Sequence, residues 1–261
     1  MTEGLTTIGW DAHWDAEWAA AEPGSADQAA RPARVTAQHR DRFIIHSEAS
    51  SLQARVSGSN SAILKPVTGD WVAFIPGPHS SDPCSIVSVL PRRSAVRRGS
   101  AGDSQSQQVL AANVDRLWLV QSLETPPNRR SLERYLAVAW ESGATPEIVL
   151  TKSDLAMELD VAMELVKGIA FGVPVWTVSV EDQASVDTLR ASLVPGRTVA
   201  LLGPSGAGKS TMINHLADSE MARIGEVRGG DRKGRHTTTS RELYPIPGGA
   251  LLLDTPGMRE L

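Results

Sequence analysis

The sequence has a single cysteine, Cys84, in 261 residues. One thiol can make no internal disulfide, and it leaves no cysteine cluster of the kind that holds structural zinc. Its setting, "DPCSIVSVL", reads as a buried strand position rather than a reactive thiol. Apolar runs of about 18 to 20 residues, the length that crosses a bilayer, are missing as well. The N-terminal "MTEGLTTIGWDAHWDAEW" lacks the basic and apolar regions of a secretory leader. The expectation is a cytoplasmic monomer with no membrane attachment.

Lys and Arg are absent from residues 1–30, which carry Glu3, Asp11, Asp15, Glu17, Glu22 and Asp27. Residues 31–98 reverse the sign, with ten Lys or Arg against Asp41, Glu48, Asp70 and Asp82. An acidic chain of net charge −4 with a basic module can bind RNA locally without coating nucleic acid at large. A merely solvated basic face would carry the same charge. Arg92, Arg93, Arg97 and Arg98 are the candidates for RNA contact. Trp10, Trp14 and Trp18 recur every four residues, a helical stripe suited to docking on the protein's own core or to stacking on a partner.

What is present divides into two rhythms. Between Arg34 and Arg98 run short β segments, "RVTAQ", "RFIIHS", "LQARVSG", "GDWVAFIP" and "CSIVSVLPR", separated by Gly, Pro, Ser and Asn. Five such strands suit a small all-β barrel, with the OB-fold as the size-matched candidate. The polar "RRGSAGDSQSQQ" reads as a linker. Thereafter strands and helices alternate, predicting a mostly parallel sheet covered on both faces, with ligands at the strands' C-terminal ends. The expected divisions are a helical extension over 1–30, a barrel over 31–98, a linker over 99–111 and an α/β domain over 112–261.

Three motifs fall at such strand ends. Gly203, Pro204, Ser205, Gly206, Ala207, Gly208, Lys209 and Ser210 match G-x-x-x-x-G-K-[ST] between the apolar strand "TVALLG" and the helical pattern "GKSTMINHLA", and Thr211 joins them as a candidate for nucleotide binding. The glycines let backbone N–H groups wrap a β-phosphate, Lys209 reaches the β- and γ-phosphates, and Ser210 offers its hydroxyl to Mg²⁺. "DTPG" follows "ALLL", so Asp254 can hold Mg²⁺ through water and the Gly257 N–H can sense a γ-phosphate. "TKSD", Thr151, Lys152, Ser153 and Asp154, suits a guanine reader. A carboxylate at Asp154 accepts from guanine N1–H and its 2-amino group, while the Lys152 stem lies along the purine. In isolation Ser153 or Asp154 is equally a helix N-cap. Ser179, closing "VPVWTVS", is the candidate to buttress the base.

The base loop precedes the phosphate loop by about fifty residues, the reverse of the ordinary GTPase order. An ordinary cycle of elements opened at another point gives this order and leaves the pocket intact, because the strands lie side by side in one sheet.

Together "LAANVD", "LERYLAVAWESGATPEIVLTKSDL", "LLGPSGAGKSTMINHL", "GRHTTT" and "DTPGMREL" resemble the circularly permuted, ribosome small subunit-dependent GTPase A family (RsgA- or YjeQ-like), over roughly 31–261. The resemblance implies an α/β P-loop GTPase domain, circularly permuted and preceded by an OB-fold. It also implies GTP/GDP and Mg²⁺ as ligands, and GTP hydrolysis in late maturation of the small ribosomal subunit, with that subunit and its rRNA as partners. A GTP-gated RNA-binding module with incidental turnover is the alternative. The family's zinc-binding C-terminal domain has no counterpart here, so zinc is not carried over. By resemblance Thr238 is assigned to switch Mg²⁺ coordination, although Thr237 and Thr239 are chemically eligible. Met258 stands where many GTPases have a water-orienting Gln, and Met cannot orient water by hydrogen bonding. His236 is the candidate for that role beside Lys209. A His in a loop with Arg228, Arg232, Lys233 and Arg235 can equally be solvated or contact RNA.

Overall fold

A computed structural model describes residues 3–21, 30–39, 41–48, 50–57, 64–79, 82–98, 108–217 and 241–254. The barrel consists of β1 (Arg31–His39), β2 (Arg42–Ser47), β3 (Ser50–Val56), β4 (Trp71–Ile75) and β5 (Cys84–Val89). They hydrogen-bond in the order β1-β2-β3-β5-β4 and close through a β1–β4 pairing, as a five-stranded barrel of the OB type. Strand alternation fills its interior with Val35, Phe43, Ile45, Val72, Phe74 and Ile86. Cys84 belongs to this cluster at 5% exposure, and burial raises its thiol pKa above the ordinary value.

In the α/β part, β8 (Arg116–Ser122), β9 (Thr145–Thr151), β10 (Val175–Val178), β11 (Thr198–Leu202) and β13 (Leu251–Asp254) run parallel, and β12 (Arg241–Pro245) is antiparallel to β13. Their order is β10-β9-β8-β11-β13-β12, and β12 pairs in turn with β1, so barrel and α/β sheet share one continuous run of strands. The central strands are apolar on both faces, as a sheet covered on both sides demands. Leu117, Leu119, Ile148, Leu150, Ala200 and Leu202 face α3 (Arg129–Ser142) and α4 (Leu159–Ala170). The intervening Trp118, Val120, Val149, Val199 and Leu201 face α5 (Gln183–Ala191) and α6 (Lys209–Leu216).

Helix α3 illustrates how local signals set these boundaries. The Asn128 side chain accepts a hydrogen bond from the Ser131 N–H, and Gly143 closes the helix at φ 82°. Leu132, Tyr135, Leu136 and Ala139, at positions i, i+3, i+4 and i+7, form the buried face. Helix α4 starts later than the apolar pattern suggests. Lys152 takes a left-handed conformation and Ser153–Leu155 form a 3₁₀ turn first. Three strands, β6 (Ala95–Arg98), β7 (Gln108–Ala112) and β12, were not expected. In the stretch read as linker, β7 pairs with β6, and β12 lies in what reads as polar connection.

The N-terminal helices, α1 (Glu3–Thr6) and α2 (Ala12–Ala21), dock on this body. Trp10 and Trp14 are buried and pack against Trp71 of β4 at ring separations of 4.8 and 5.8 Å, so the tryptophan stripe serves the protein's own core. Arg93 covers the Trp14 ring and pairs with Asp11, while Arg92 forms a bidentate pair with the buried Asp70. Of the four arginines considered for RNA, these two are engaged internally. Arg97 and Arg98 of β6 are exposed.

Arg34 sits where the three parts meet. Its guanidinium donates to the carbonyls of Ile8, Gly69 and Asn113 and to the Thr198 hydroxyl at 2.5, 3.3, 3.1 and 2.8 Å. Burial pushes its pKa down to about 10, against the pull of Asp115 and Asp70, so it remains charged at neutral pH. Substituting Arg34→Met strands these acceptors in the interior and is expected to cost on the order of 3 kcal/mol, read as a lowered denaturant midpoint. The exposed α3 pair Arg129–Glu133 sets the contrast, and Arg129→Ala should change stability by less than about 0.5 kcal/mol.

Candidate functional site

Strand β11 delivers the phosphate-loop sequence at the centre of the sheet. At Gly203 a Cβ would lie 2.2 Å from the Val120 carbonyl oxygen, so only glycine permits the approach to β8. Gly208, at φ 83°, takes the left-handed turn that opens α6. The Lys209 ammonium is folded back into the loop and donates to the carbonyls of Gly203 and Pro204, each at 2.6 Å. Lys209 is largely buried, whereas Ser205, Ser210 and Thr211 are exposed around the mouth. The loop therefore brings a cation to the start of a helix, an arrangement that suits a phosphate.

Strand β9 ends at the base-loop sequence. Two inter-strand spacings, about 10 Å, separate β9 from β11, with β8 between them. Thr151 bridges the gap. Its hydroxyl donates to the Ala207 carbonyl at 2.7 Å and lies 3.2 Å from the Gln121 carbonyl of β8. Fifty-odd positions apart in sequence, the two loops are thus in direct contact.

Asp154 is exposed at the sheet edge, and its carboxylate accepts from the Ser179 hydroxyl at 2.5 Å. Ser179 is itself fixed. Its oxygen accepts from the Glu181 N–H at 3.1 Å, and its N–H donates to the Ser185 hydroxyl at 3.0 Å. Ser153 lies in the short 3₁₀ turn between Lys152 and Asp154. The Lys152 ammonium pairs with Glu124, from the loop after β8, and this lowers the Glu124 carboxyl below its ordinary pKa, as does the Ser122 hydroxyl. Glu124 escaped the sequence reading, because nothing in "SLETPP" marks a residue 28 positions before Lys152 as a partner of the base loop.

The remaining elements are placed by backbone alone. β13 pairs Leu253 with Ala200, which sets Asp254 level with Leu201, one residue before the end of β11. Thr237, Thr238, Thr239, His236, Gly257 and Met258 lie outside the described residues. Among the described residues no group of three or more His, Cys, Asp or Glu side chains is gathered as a metal site. None of the described helices is long and apolar enough to cross a membrane.

A phosphate loop and a base loop in contact across a parallel sheet, in reversed chain order, have a counterpart among known proteins. The RsgA GTPase family matches residues 89–261. A small ribosomal subunit biogenesis GTPase RsgA of Opitutus terrae is 42% identical over 98% of this chain and 72% of its own length. The chain belongs to the RsgA GTPase family. RsgA 2 of Lactiplantibacillus plantarum is 42% identical over 87% of this chain, and an RsgA of Methanosarcina acetivorans is 40% identical over 87%. The chain spans 65% and 62% of the lengths of these two relatives. Among solved structures, YjeQ from Thermotoga maritima superposes with a TM-score of 0.64 at 23% identity, covering 89% of this chain and 77% of its own. YloQ, described as a circularly permuted GTPase, gives 0.62 at 20% identity, covering 91% and 75%. The fold here is that of a circularly permuted GTPase preceded by an OB-like barrel.

Replacing Thr151 by Val keeps the side-chain volume and deletes the bond that joins the loops. GDP affinity, measured with a fluorescent GDP analogue, is expected to fall about fivefold to tenfold, the equivalent of one lost hydrogen bond.

Proposed function

We propose that this protein binds GTP with Mg²⁺, hydrolyses it, and acts in late maturation of the small ribosomal subunit through contact with that subunit and its rRNA. The observation that supports the nucleotide reading most is the Thr151–Ala207 hydrogen bond, because it joins the Thr151–Asp154 and Gly203–Ser210 loops closely enough for one ligand to meet both. The names of the relatives, small ribosomal subunit biogenesis GTPases, support the biological setting.

In this reading Asp154, oriented by Ser179, accepts from guanine N1–H and the 2-amino group, and adenine, lacking that donor pair, is refused. The Lys152 stem covers the purine face, and its pairing with Glu124 fixes the ammonium. The backbone of Gly203 to Ser210, continued by Thr211, wraps the phosphates, and Lys209 exchanges its two carbonyl partners for β- and γ-phosphate oxygens. Ser210 is exposed at the start of α6, and Asp254 follows the strand that pairs with β11, the two places from which a hydroxyl and a carboxylate serve a divalent cation in this reading. Ser210, Thr238 and, through water, Asp254 would hold Mg²⁺, which neutralises phosphate charge when bound. His236 positions the water that attacks the γ-phosphorus in line, giving GDP and inorganic phosphate. The Gly257 N–H senses the γ-phosphate, whose loss relaxes the preceding segment.

Asp154→Asn turns one acceptor into a donor facing guanine. The GDP dissociation constant is expected to rise about a hundredfold, with Mg²⁺ and phosphate contacts retained. GTP turnover, measured with and without purified small ribosomal subunits, is expected to be stimulated by the subunit. His236→Ala should lower the stimulated kcat about a hundredfold while leaving GDP affinity unchanged. Stimulated turnover that survives His236→Ala would remove that residue from the mechanism. Absence of stimulation would remove the ribosomal role and spare the nucleotide one.

A further inference from the structure

A groove of about 460 Å³ opens between the loop after β8 and the start of α4. Leu123, Pro126 and Pro127 form one wall, and Met157, Val161 and Leu165 form the other. Val161 and Leu165, one turn apart on α4, are 60% and 38% exposed, and Met157, 97% exposed, lies in the bend just before the helix, so the three make one contiguous apolar stripe rather than a scatter of single hydrophobes. The charged residues that line the groove are two carboxylates, Glu124 and Glu158. Asp160 and Glu164 continue the acidic character on exposed positions of α4, and Lys167, 3.9 Å from Glu164, is the basic side chain in that run.

We propose that this groove docks a basic, amphipathic protein segment, with apolar side chains on the Met157–Val161–Leu165 stripe and Lys or Arg facing Glu124 and Glu158. Shape and charge both favour that occupant. The stripe runs from the bend at Met157 along the first two turns of α4, an elongated shape that matches a helical or extended peptide better than a compact ligand. A nucleic acid would bring phosphates against a carboxylate-lined rim, whereas a basic segment meets complementary charge. Glu124 also pairs with Lys152, so the groove shares a side chain with the base loop although neither the stripe nor its α4 carboxylates belong to the nucleotide site. The inference stands apart from the hydrolysis reading, since no residue assigned to the nucleotide lies on α4.

The test uses the full chain loaded with GDP and a synthetic peptide of about 18 residues, five helical turns, built from Leu and Lys at amphipathic spacing. A twin peptide with Glu in place of Lys and an oligouridylate serve as the other probes. The Lys peptide is expected to bind, to slow hydrogen exchange over Leu123–Pro127 and Ala156–Leu165, and to bind at least about tenfold more weakly to Val161→Gln and Leu165→Gln chains. Both substitutions are on exposed positions and should leave the thermal midpoint and GDP affinity unchanged. Failure of the Lys peptide to bind, equal binding of the Glu twin, or indifference to both substitutions would overturn the proposal. Protection of the same segments by the oligouridylate would assign the groove to RNA instead. Self-association abolished by Leu165→Gln would assign it to a second copy of the chain.

Discussion

The nucleotide site proposed for this protein depends on one constraint, the side-by-side placement of β9, β8 and β11 in parallel. That arrangement carries the ends of two chain-distant strands to one edge, and the Thr151 hydroxyl then ties the base loop to the Ala207 carbonyl of the phosphate loop. Chain order does not enter the geometry. In the sheet, β12 and β13 flank β11 on one side and β8, β9 and β10 on the other, so a chain begun at β11 and closed through β10 would build the same pocket. The permutation moves the ends of the chain, and the hydrogen-bonded neighbours keep their places.

A second consequence of the opened order is the junction with the barrel. Strand β12, which precedes the strand ending at Asp254, pairs with β13 on one side and with barrel strand β1 on the other. Beneath it Arg34, itself a β1 residue, bonds to Thr198 at the start of β11. The barrel is therefore joined to both the phosphate-loop strand and its neighbour by backbone pairing and by a buried charge. A guanidinium held by carbonyls and a hydroxyl, with the Trp71 face 5.3 Å away, is costly to bury. Its four hydrogen bonds offset that cost only when barrel, N-terminal helices and α/β sheet are all in place. The same residue thus favours one arrangement of the three parts over looser alternatives.

Much of this was legible in the sequence, for reasons that differ by element. The period-2 alternation of "RFIIHS" and the doubly apolar β8 and β9 are local patterns with a single structural solution, and Asn128 and Gly143 mark the ends of α3 by their own chemistry. The turn at Gly203–Gly208 reads from its glycines, and the places of Asp154 and Ser179 beyond β9 and β10 read from the apolar runs before them. What did not read were features fixed by distant partners. β12, with Pro245 and alternating charge, is a weak strand by composition and forms because β13 and β1 supply hydrogen bonds on both sides. β7 is set by pairing with β6. The Glu124–Lys152 pair and the Thr151–Ala207 bond join segments 28 and 56 positions apart, which no local pattern encodes. The basic run Arg92 and Arg93 was legible as charge but not as internal pairing, because Asp70 and Asp11 come close only in the fold.

The most direct measurement of the central claim is a crystal structure of the chain with GDP and Mg²⁺. The account predicts one nucleotide spanning the sheet edge, with Asp154 hydrogen-bonded to guanine N1 and the 2-amino group. Lys209 should have moved from the Gly203 and Pro204 carbonyls to the β-phosphate, with the Thr151–Ala207 bond kept. A diphosphate seated in the Gly203–Ser210 loop with its base turned away from Thr151–Asp154 would contradict it.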